Sequence, residues 1–185
     1  MTHPGSAYRP SRRSALRLGG AIAIAAAVAA CARGPALVET IDDVAYVRVD
    51  PAEAAKLINA YRAENGVAAL DLDPDLVRIA GDYARHLAEA GRMTHALEPY
   101  GGLDQRLKAA GYPYATAGEN LGQGYRTIHQ TILGWKHSPA HDRGMKDADM
   151  TRMGIASAEN PRRRGDVYWC LIVARPRPAG APAGT

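Results

Sequence analysis

The chain has 185 residues, with 23 Lys and Arg against 19 Asp and Glu. Four of the arginines lie in the first 31 residues, which contain no acidic residue, so the rest of the chain carries 19 charges of each sign. The basic balance therefore belongs to the N-terminal segment, and we expect no nucleic-acid partner. The residues after that segment are enough for one domain with its own core.

Residues 1–31 are predicted to be an export signal. The arginines precede an Ala-rich apolar run over residues 19–31, which is too brief for a transmembrane helix. Adjacent arginines after a serine resemble a twin-arginine export signal. We therefore expect the protein on the periplasmic or cell-surface side of the membrane. The positively charged residues of the segment are Arg9, Arg12, Arg13 and Arg17.

The end of this segment resembles the lipobox of lipoproteins. Residues 28–31 read VAAC, and in a lipobox the cysteine is lipidated and becomes the mature N-terminus. We therefore predict a lipid anchor at Cys31 and membrane association through it. The alternative is an ordinary secretory signal cleaved nearby, with Cys31 incidental. With Cys31 lipidated, Cys170 has no partner for an intramolecular disulfide.

Three further segments follow the export signal. Residues 32–50 are a linker or a packed N-terminal arm, and residues 51–175 form the folded domain. Residues 176–185 are rich in proline, glycine and alanine without periodicity, which predicts a disordered tail.

The domain begins with two helices that share one start signal. Asp50 and Asp73 each precede a proline, which favours an N-cap followed by the first helical position. Apolar residues then recur at helical spacing until Gly66 and Gly91. Shorter helices are predicted over residues 103–110, over about residues 127–136, and from Pro139 onward.

Two strands are predicted to close the domain. They cover residues 152–159 and 166–174, joined by a turn, and the second is apolar through its centre, as expected of a strand covered on both faces. Residues 118–124 (GENLGQG) add another extended segment. Helices first and strands last predict an α+β layered domain with helices on the faces of the sheet.

Three polar residues on separate segments are candidates for one site. His95 follows the second helix, Glu119 lies among glycines, and His141 lies in the first turn of the last short helix. Two imidazoles and a carboxylate suit a divalent metal such as zinc, with His95 and His141 as ligands. Without a metal, they can form a hydrogen-bonded polar cluster.

Six segments occur along the chain in the order NAYRAENG, MTHA, AAGY, AGENLGQG, GWKHSPAHDRGM and RMGIASA. Together they resemble the CAP superfamily of cysteine-rich secretory, antigen 5 and pathogenesis-related proteins, in its bacterial secreted branch. The resemblance covers roughly residues 54–174. It implies a three-layer α-β-α sandwich with a small, mainly antiparallel sheet, and a cleft lined by His95, Glu119 and His141.

Departures from the family pattern bear on the chemistry. Many eukaryotic members have a second cavity glutamate three residues after a tryptophan, where this chain has Ser138. One carboxylate weakens an acid/base pair. Asp142 stands where a basic residue is more common, and it would favour the charged form of His141 if its side chain turned towards the imidazole.

Two neighbouring residues receive structural interpretations. Asn120 is predicted to fix its loop by hydrogen bonding rather than to touch a ligand. Cys170 is predicted to be a buried thiol that packs as a small apolar residue.

Three functions stay open on the sequence. The first is a non-catalytic binding module of the cell envelope, whose ligand is an envelope component, a lipid or a partner protein. The second is a zinc-dependent hydrolase or peptidase using the same cleft. The third is a purely structural cluster. The chain has no G-x-S-x-G motif and no HExxH motif, and this favours binding.

Overall fold

The structure is a computed structural model, and it describes residues 49–178. Residues 1–31 with Cys31, most of the segment 32–50, and residues 179–185 lie outside the described residues. Within residues 49–178, no helix is both long and apolar enough to span a bilayer. In chain order, the elements are α1 (Pro51–Glu64), β1 (Asp71–Leu72), α2 (Pro74–Ala90), α3 (Leu103–Ala109), β2 (Tyr114–Gln123), α4 (Ile128–Lys136), α5 (Pro139–Met145), β3 (Arg152–Glu159) and β4 (Val167–Pro176).

The two long helices begin as the aspartate–proline pairs predict. The Asp50 carboxylate accepts from the backbone N–H of Ala52, and the Asp73 carboxylate accepts from two backbone N–H groups at the start of α2. These bonds satisfy donors that have no partner within the helix. At the other end of α2, Gly91 takes the left-handed conformation with φ 62°, which suits glycine because it lacks a Cβ.

The sheet has four strands in the order β1-β3-β4-β2. β4 pairs antiparallel with both β3 and β2, and only the two-residue strand β1 pairs parallel with β3. The predicted small, mainly antiparallel sheet is therefore confirmed. β1 was not predicted, because two residues are too few to show a strand pattern.

β4 is covered on both faces, as its continuous apolar sequence predicts. Alternate residues point to opposite faces of a strand. Trp169, Leu171 and Val173 pack with residues of α1, α4 and α5, whereas Cys170 and Ile172 pack with residues of α2 and α3. The helices thus form a layer on each face of the sheet, and the predicted α+β, three-layer α-β-α architecture is confirmed.

The last strand extends further than the sequence pattern indicates. Tyr114 of β2 is in register with Pro176 of β4, and the backbone N–H of Arg177 donates to the Pro113 carbonyl. The predicted tail over residues 176–185 therefore begins inside the sheet. Its Pro- and Gly-rich composition hides this, because pairing with β2 determines where β4 ends.

Candidate functional site

Glu119 lies in the middle of β2, opposite Ile172 of β4. Only 3 % of its side chain is exposed, so an unpaired charge there would be costly. The structure supplies partners from three other segments of the chain. Oε1 lies 2.8 Å from Nδ1 of His95, and Oε2 accepts from Nη2 of Arg106 at 2.7 Å and from the Cys170 thiol at 3.4 Å.

His95 presents its imidazole to solvent while its Nδ1 contacts Glu119. Its side chain is 63 % exposed, and it follows the end of α2 by a few residues. The hydrogen bond to Glu119 is the main cause that raises the pKa of His95. More of this imidazole is therefore protonated near neutral pH than in an ordinary histidine. Within residues 49–178, the recorded hydrogen bond of this side chain uses Nδ1 and leaves the other ring nitrogen, Nε2, without one.

Arg106 of α3 is the second charged partner of Glu119. Its side chain is 7 % exposed, and its guanidinium carbon lies 3.4 Å from the centroid of the Tyr83 ring. The Tyr83 hydroxyl donates to the carbonyl of Thr94 at 2.6 Å, and Thr94 directly precedes His95. This chain of contacts, from Glu119 through Arg106 and Tyr83, fixes the segment that carries His95.

His141 lies at the start of α5, and Asn120 fixes the helix there. Nδ2 of Asn120 donates to the His141 carbonyl at 2.9 Å, which confirms the structural role predicted for this asparagine. Asn120 belongs to a strand rather than a loop. A Cβ on Gly144 would come within 2.7 Å of Oδ1 of Asn120, so a glycine lets α5 approach β2 this closely.

The two histidines have opposite electrostatic environments. Burial lowers the pKa of His141, and the charge of His95 lowers it further. Within residues 49–178, the His141 side chain makes no hydrogen bond; its ring lies 6.5 Å from the Trp135 ring, centroid to centroid. The structure thus joins His95 and Glu119 directly and brings His141 near enough to sense the charge of His95.

Asp142 does not act on His141. Its carboxylate accepts from the Tyr61 hydroxyl and pairs with Nζ of Lys146 at 2.6 Å. The Lys146 hydrogen bond is the main cause that lowers the pKa of Asp142. An aspartate next to His141 in sequence therefore stabilises the junction of α1 and α5 instead of the charged imidazole.

Cys170 is buried as predicted, but it also takes part in the polar cluster. Burial raises the pKa of its thiol well above the usual value, and the charge of Glu119 raises it further. A thiol with a raised pKa is a poor nucleophile at neutral pH. Cys170 therefore contributes a weak hydrogen bond to Glu119 rather than covalent chemistry.

The residues of the cluster do not fit a zinc site. A catalytic zinc site takes three protein ligands. Within residues 49–178, no three His, Cys, Asp or Glu side chains are grouped so that they could hold a metal ion. Both oxygens of Glu119 are engaged, and the neighbouring Arg106 cation opposes a divalent ion. The tentative assignment of His95 and His141 as metal ligands stays a prediction that this arrangement does not support.

Arg106 was not among the site residues predicted from the sequence, although a signal for it exists. Leu103, Leu107 and Ala110 belong to the buried face of α3, and Arg106 falls on that same face at helical spacing. A charged residue among apolar ones on one helix face indicates a buried partner of opposite charge. Glu119 is that partner.

The chain is similar to one curated relative. It is 26 % identical over 108 residues to the protein YkwD of Bacillus subtilis, a match that covers 58 % of this chain and 42 % of YkwD. This chain therefore spans less than half of the length of that relative.

Two solved bacterial structures share the fold. An extracellular protein containing an SCP domain from Bacillus anthracis has a TM-score of 0.62 at 18 % identity, over 68 % of this chain and 40 % of that one. An outer surface protein from Borrelia burgdorferi has a TM-score of 0.62 at 20 % identity, over 71 % of this chain and 98 % of that one.

The sequence also matches a family as a whole. Residues 55–173 match the sequence model of CAP, the cysteine-rich secretory protein family. This range contains all but one buried residue of each core cluster, and it includes His95, Glu119 and His141. The match covers more than half of the chain, and the chain therefore belongs to the CAP family.

Proposed function

We propose that this CAP-domain protein is a non-catalytic binding protein of the cell envelope. Its cleft, defined by His95, Glu119 and His141, binds a polar envelope component that offers hydrogen-bond acceptors. The observation that carries this proposal is the state of Glu119: both carboxylate oxygens already have partners, and only 3 % of the side chain is exposed. A general base needs a lone pair that the proton it removes can reach.

The two imidazoles supply what a polar ligand needs. His95 is exposed and has a raised pKa, so a larger fraction of it than of an ordinary histidine offers a charged donor at Nε2. His141 is half-buried and has a lowered pKa, so it offers a neutral ring that both donates and accepts. Charged and neutral hydrogen-bonding groups in one cleft suit a ligand with several acceptor groups, such as a sugar or a peptide.

A second line of support concerns location. Two solved neighbours are described as an extracellular protein and an outer surface protein. The N-terminal segment of this chain has the charge and hydropathy of an export signal and ends in a lipobox-like cysteine. We propose that the protein is exported and tethered to the membrane through a lipid on Cys31.

The binding proposal is tested with muramyl dipeptide, a soluble cell-wall fragment with sugar and peptide acceptors. We expect a saturable shift of the imidazole resonances of His95 and His141 in NMR spectra, with the dipeptide recovered unchanged. His95→Ala should weaken binding about tenfold, as expected for a lost charge-assisted hydrogen bond. His129→Ala, which removes an exposed imidazole from α4, is the control.

Three results would contradict the proposal. They are the absence of a saturable shift, binding that His95→Ala leaves unchanged, and turnover of the dipeptide.

The anchor is tested by fractionating cells that express the protein. Cys31→Ser removes the thiol that a lipid would occupy, so we expect the protein to move from the membrane fraction to the soluble fraction. Cys170→Ser, which changes the buried cysteine, controls for the substitution itself. If Cys31→Ser leaves the distribution unchanged, the protein is not a lipoprotein.

No observation favours the alternative of a zinc-dependent hydrolase or peptidase. That mechanism requires a third ligand and a carboxylate free to activate water. Within the described part of the chain, the third ligand is missing, and the Glu119 carboxylate is held by His95 and Arg106.

A further inference from the structure

A pocket lies against Arg106, between residues of α2 and α3. It has a volume of about 390 Å³ and is bounded by α2, by Pro99 and Tyr100, and by α3. His95, Glu119 and His141 do not line it. Its volume falls within the range of roughly 300–1,000 Å³ that is usual for small-molecule sites.

Arg106 brings unused donors to this pocket. Its guanidinium bonds to Glu119 through Nη2, but Nε and Nη1 are buried and have no hydrogen-bond partner. The side chain is only 7 % exposed, so water has little access to these two donors. Buried donors without acceptors are rare in folded proteins because each costs free energy.

His86 contributes a third unpartnered nitrogen from the opposite wall. Its Nδ1 is buried and makes no hydrogen bond, and the nearest carboxylate, of Glu89, lies 3.9 Å away. The ring is fixed by stacking on Tyr100, with centroids 3.5 Å apart and planes 12° apart. Residues on two elements that line this pocket therefore carry unsatisfied polar nitrogens.

The chemistry of the walls limits the ligand. Guanidinium nitrogens only donate, so the ligand must present an acceptor. The charge of Arg106 is already balanced by Glu119, and Arg78 on the pocket wall lies 3.7 Å from Asp82. The walls therefore have no excess positive charge for a doubly charged group, whereas a single carboxylate makes a charge-assisted hydrogen bond to a guanidinium N–H. The remaining walls are mainly apolar: Ile79, Pro99, Tyr100, Ala109 and Ala110.

We propose that this pocket binds a small organic monocarboxylate with an apolar body. The carboxylate accepts from Nε of Arg106 and from His86, and the apolar body lies against α3 and Pro99. This site is separate from the cleft that the proposed function uses, so each can fail without the other.

The probe is phenylacetate, and the matched neutral probe is phenylacetamide. Binding is followed by the Nε–Hε resonance of Arg106 in NMR spectra, because that group is one of the proposed donors. We expect a saturable shift with phenylacetate at millimolar concentration or below, and affinity at least about tenfold weaker for phenylacetamide.

Ala109→Phe is the test variant. Ala109 is an exposed residue that lines the pocket, so a larger side chain fills the site without removing Arg106 or Glu119. We expect it to weaken phenylacetate binding at least about tenfold and to leave thermal unfolding unchanged. His95→Ala, in the other cleft, should leave phenylacetate binding unchanged.

Five results would overturn the proposal. The first is the absence of a saturable Arg106 shift, and the second is equal affinity for phenylacetamide. The third is unchanged binding by Ala109→Phe. The fourth is displacement of phenylacetate by an equal concentration of inorganic phosphate, which would assign the pocket to inorganic anions. Loss of binding in His95→Ala would place the ligand in the first cleft and would likewise exclude the second site.

Discussion

Glu119 and Arg106 form an ion pair with little exposure on either side, and this determines the effect of changing the glutamate. Glu119→Gln removes the negative charge and leaves the Arg106 cation without a compensating partner. Breaking such a pair by removing one member costs about 3–5 kcal/mol, more than a single lost hydrogen bond. We therefore expect that decrease in the free energy of unfolding, measured by chemical denaturation.

A matched variant controls for the loss of a carboxylate. Glu64→Gln removes a carboxylate that is 67 % exposed and lies 3.9 Å from Nζ of Lys136. Exposed pairs contribute about 0–1 kcal/mol. If the two variants are equally stable, Glu119 is not held in an energetically important pair.

At the residue scale, His95 and His141 also affect how the free energy of unfolding depends on pH. The folded-state pKa of His95 is raised, mainly by its bond to Glu119, so its contribution to stability is complete below the ordinary histidine pKa of about 6.5. It is lost as the pH rises through the raised value. His141 has a lowered pKa because of burial, so its contribution is present above about pH 6.5 and is lost as the pH falls through the lowered value. From these two groups alone, the free energy of unfolding therefore falls as the pH moves away from about 6.5 in either direction.

At the scale of elements, the packing of α2 on β3 depends on a glycine. A Cβ on Gly154 of β3 would come within 2.1 Å of the Leu76 backbone and 2.3 Å of the Val77 backbone. Because these are backbone atoms, the helix itself would have to move. We expect Gly154→Ala to destabilise the protein by about 3 kcal/mol or more, measured by chemical denaturation.

Gly81 provides a control in the same interface. A Cβ there would lie 3.6 Å from the Ala156 Cβ, an ordinary contact distance. Alanine is also preferred over glycine within a helix by about 0.5–1 kcal/mol. Gly81→Ala should therefore be neutral or stabilising. Equal destabilisation by both variants would mean that α2 does not pack on β3 as described.

The long elements could be predicted from sequence because their signals are local. Asp50 and Asp73 mark helix starts through bonds within their own first turn, and β4 shows its burial in an unbroken apolar run. β1 and the true end of β4 depend on pairing with distant strands. Such pairing leaves no local pattern, so these features could not be found in the sequence.

At the scale of the whole molecule, the residues of the site also divide into those found from the sequence and those that only the structure shows. The family resemblance identified His95, Glu119 and His141, and the structure joins the first two directly. The family resemblance did not identify Arg106, because the role of this residue appears only when α3 packs against β2. Arg62 was missed for a similar reason: it is buried and donates to the carbonyls of Ala68, Met145 and Asp147.

Arg106 changes the functional interpretation of the site. A His/Glu/His set without Arg106 suggests a metal site, because its carboxylate would be free. With Arg106 present, Glu119 holds a guanidinium and an imidazole in place. Glu119 therefore supports His95 and Arg106, and the proposed binding function assigns the ligand contacts to His95 and His141.

The central claim, that Glu119 is committed to His95 and Arg106, is tested most directly by an NMR pH titration of the two imidazoles. In the wild-type protein, we predict a pKa above about 6.5 for His95 and below about 6.5 for His141. Glu119→Gln should return the pKa of His95 towards its ordinary value. If both histidines titrate near 6.5 in the wild type, or if Glu119→Gln leaves the pKa of His95 unchanged, Glu119 does not hold His95 and the account is wrong.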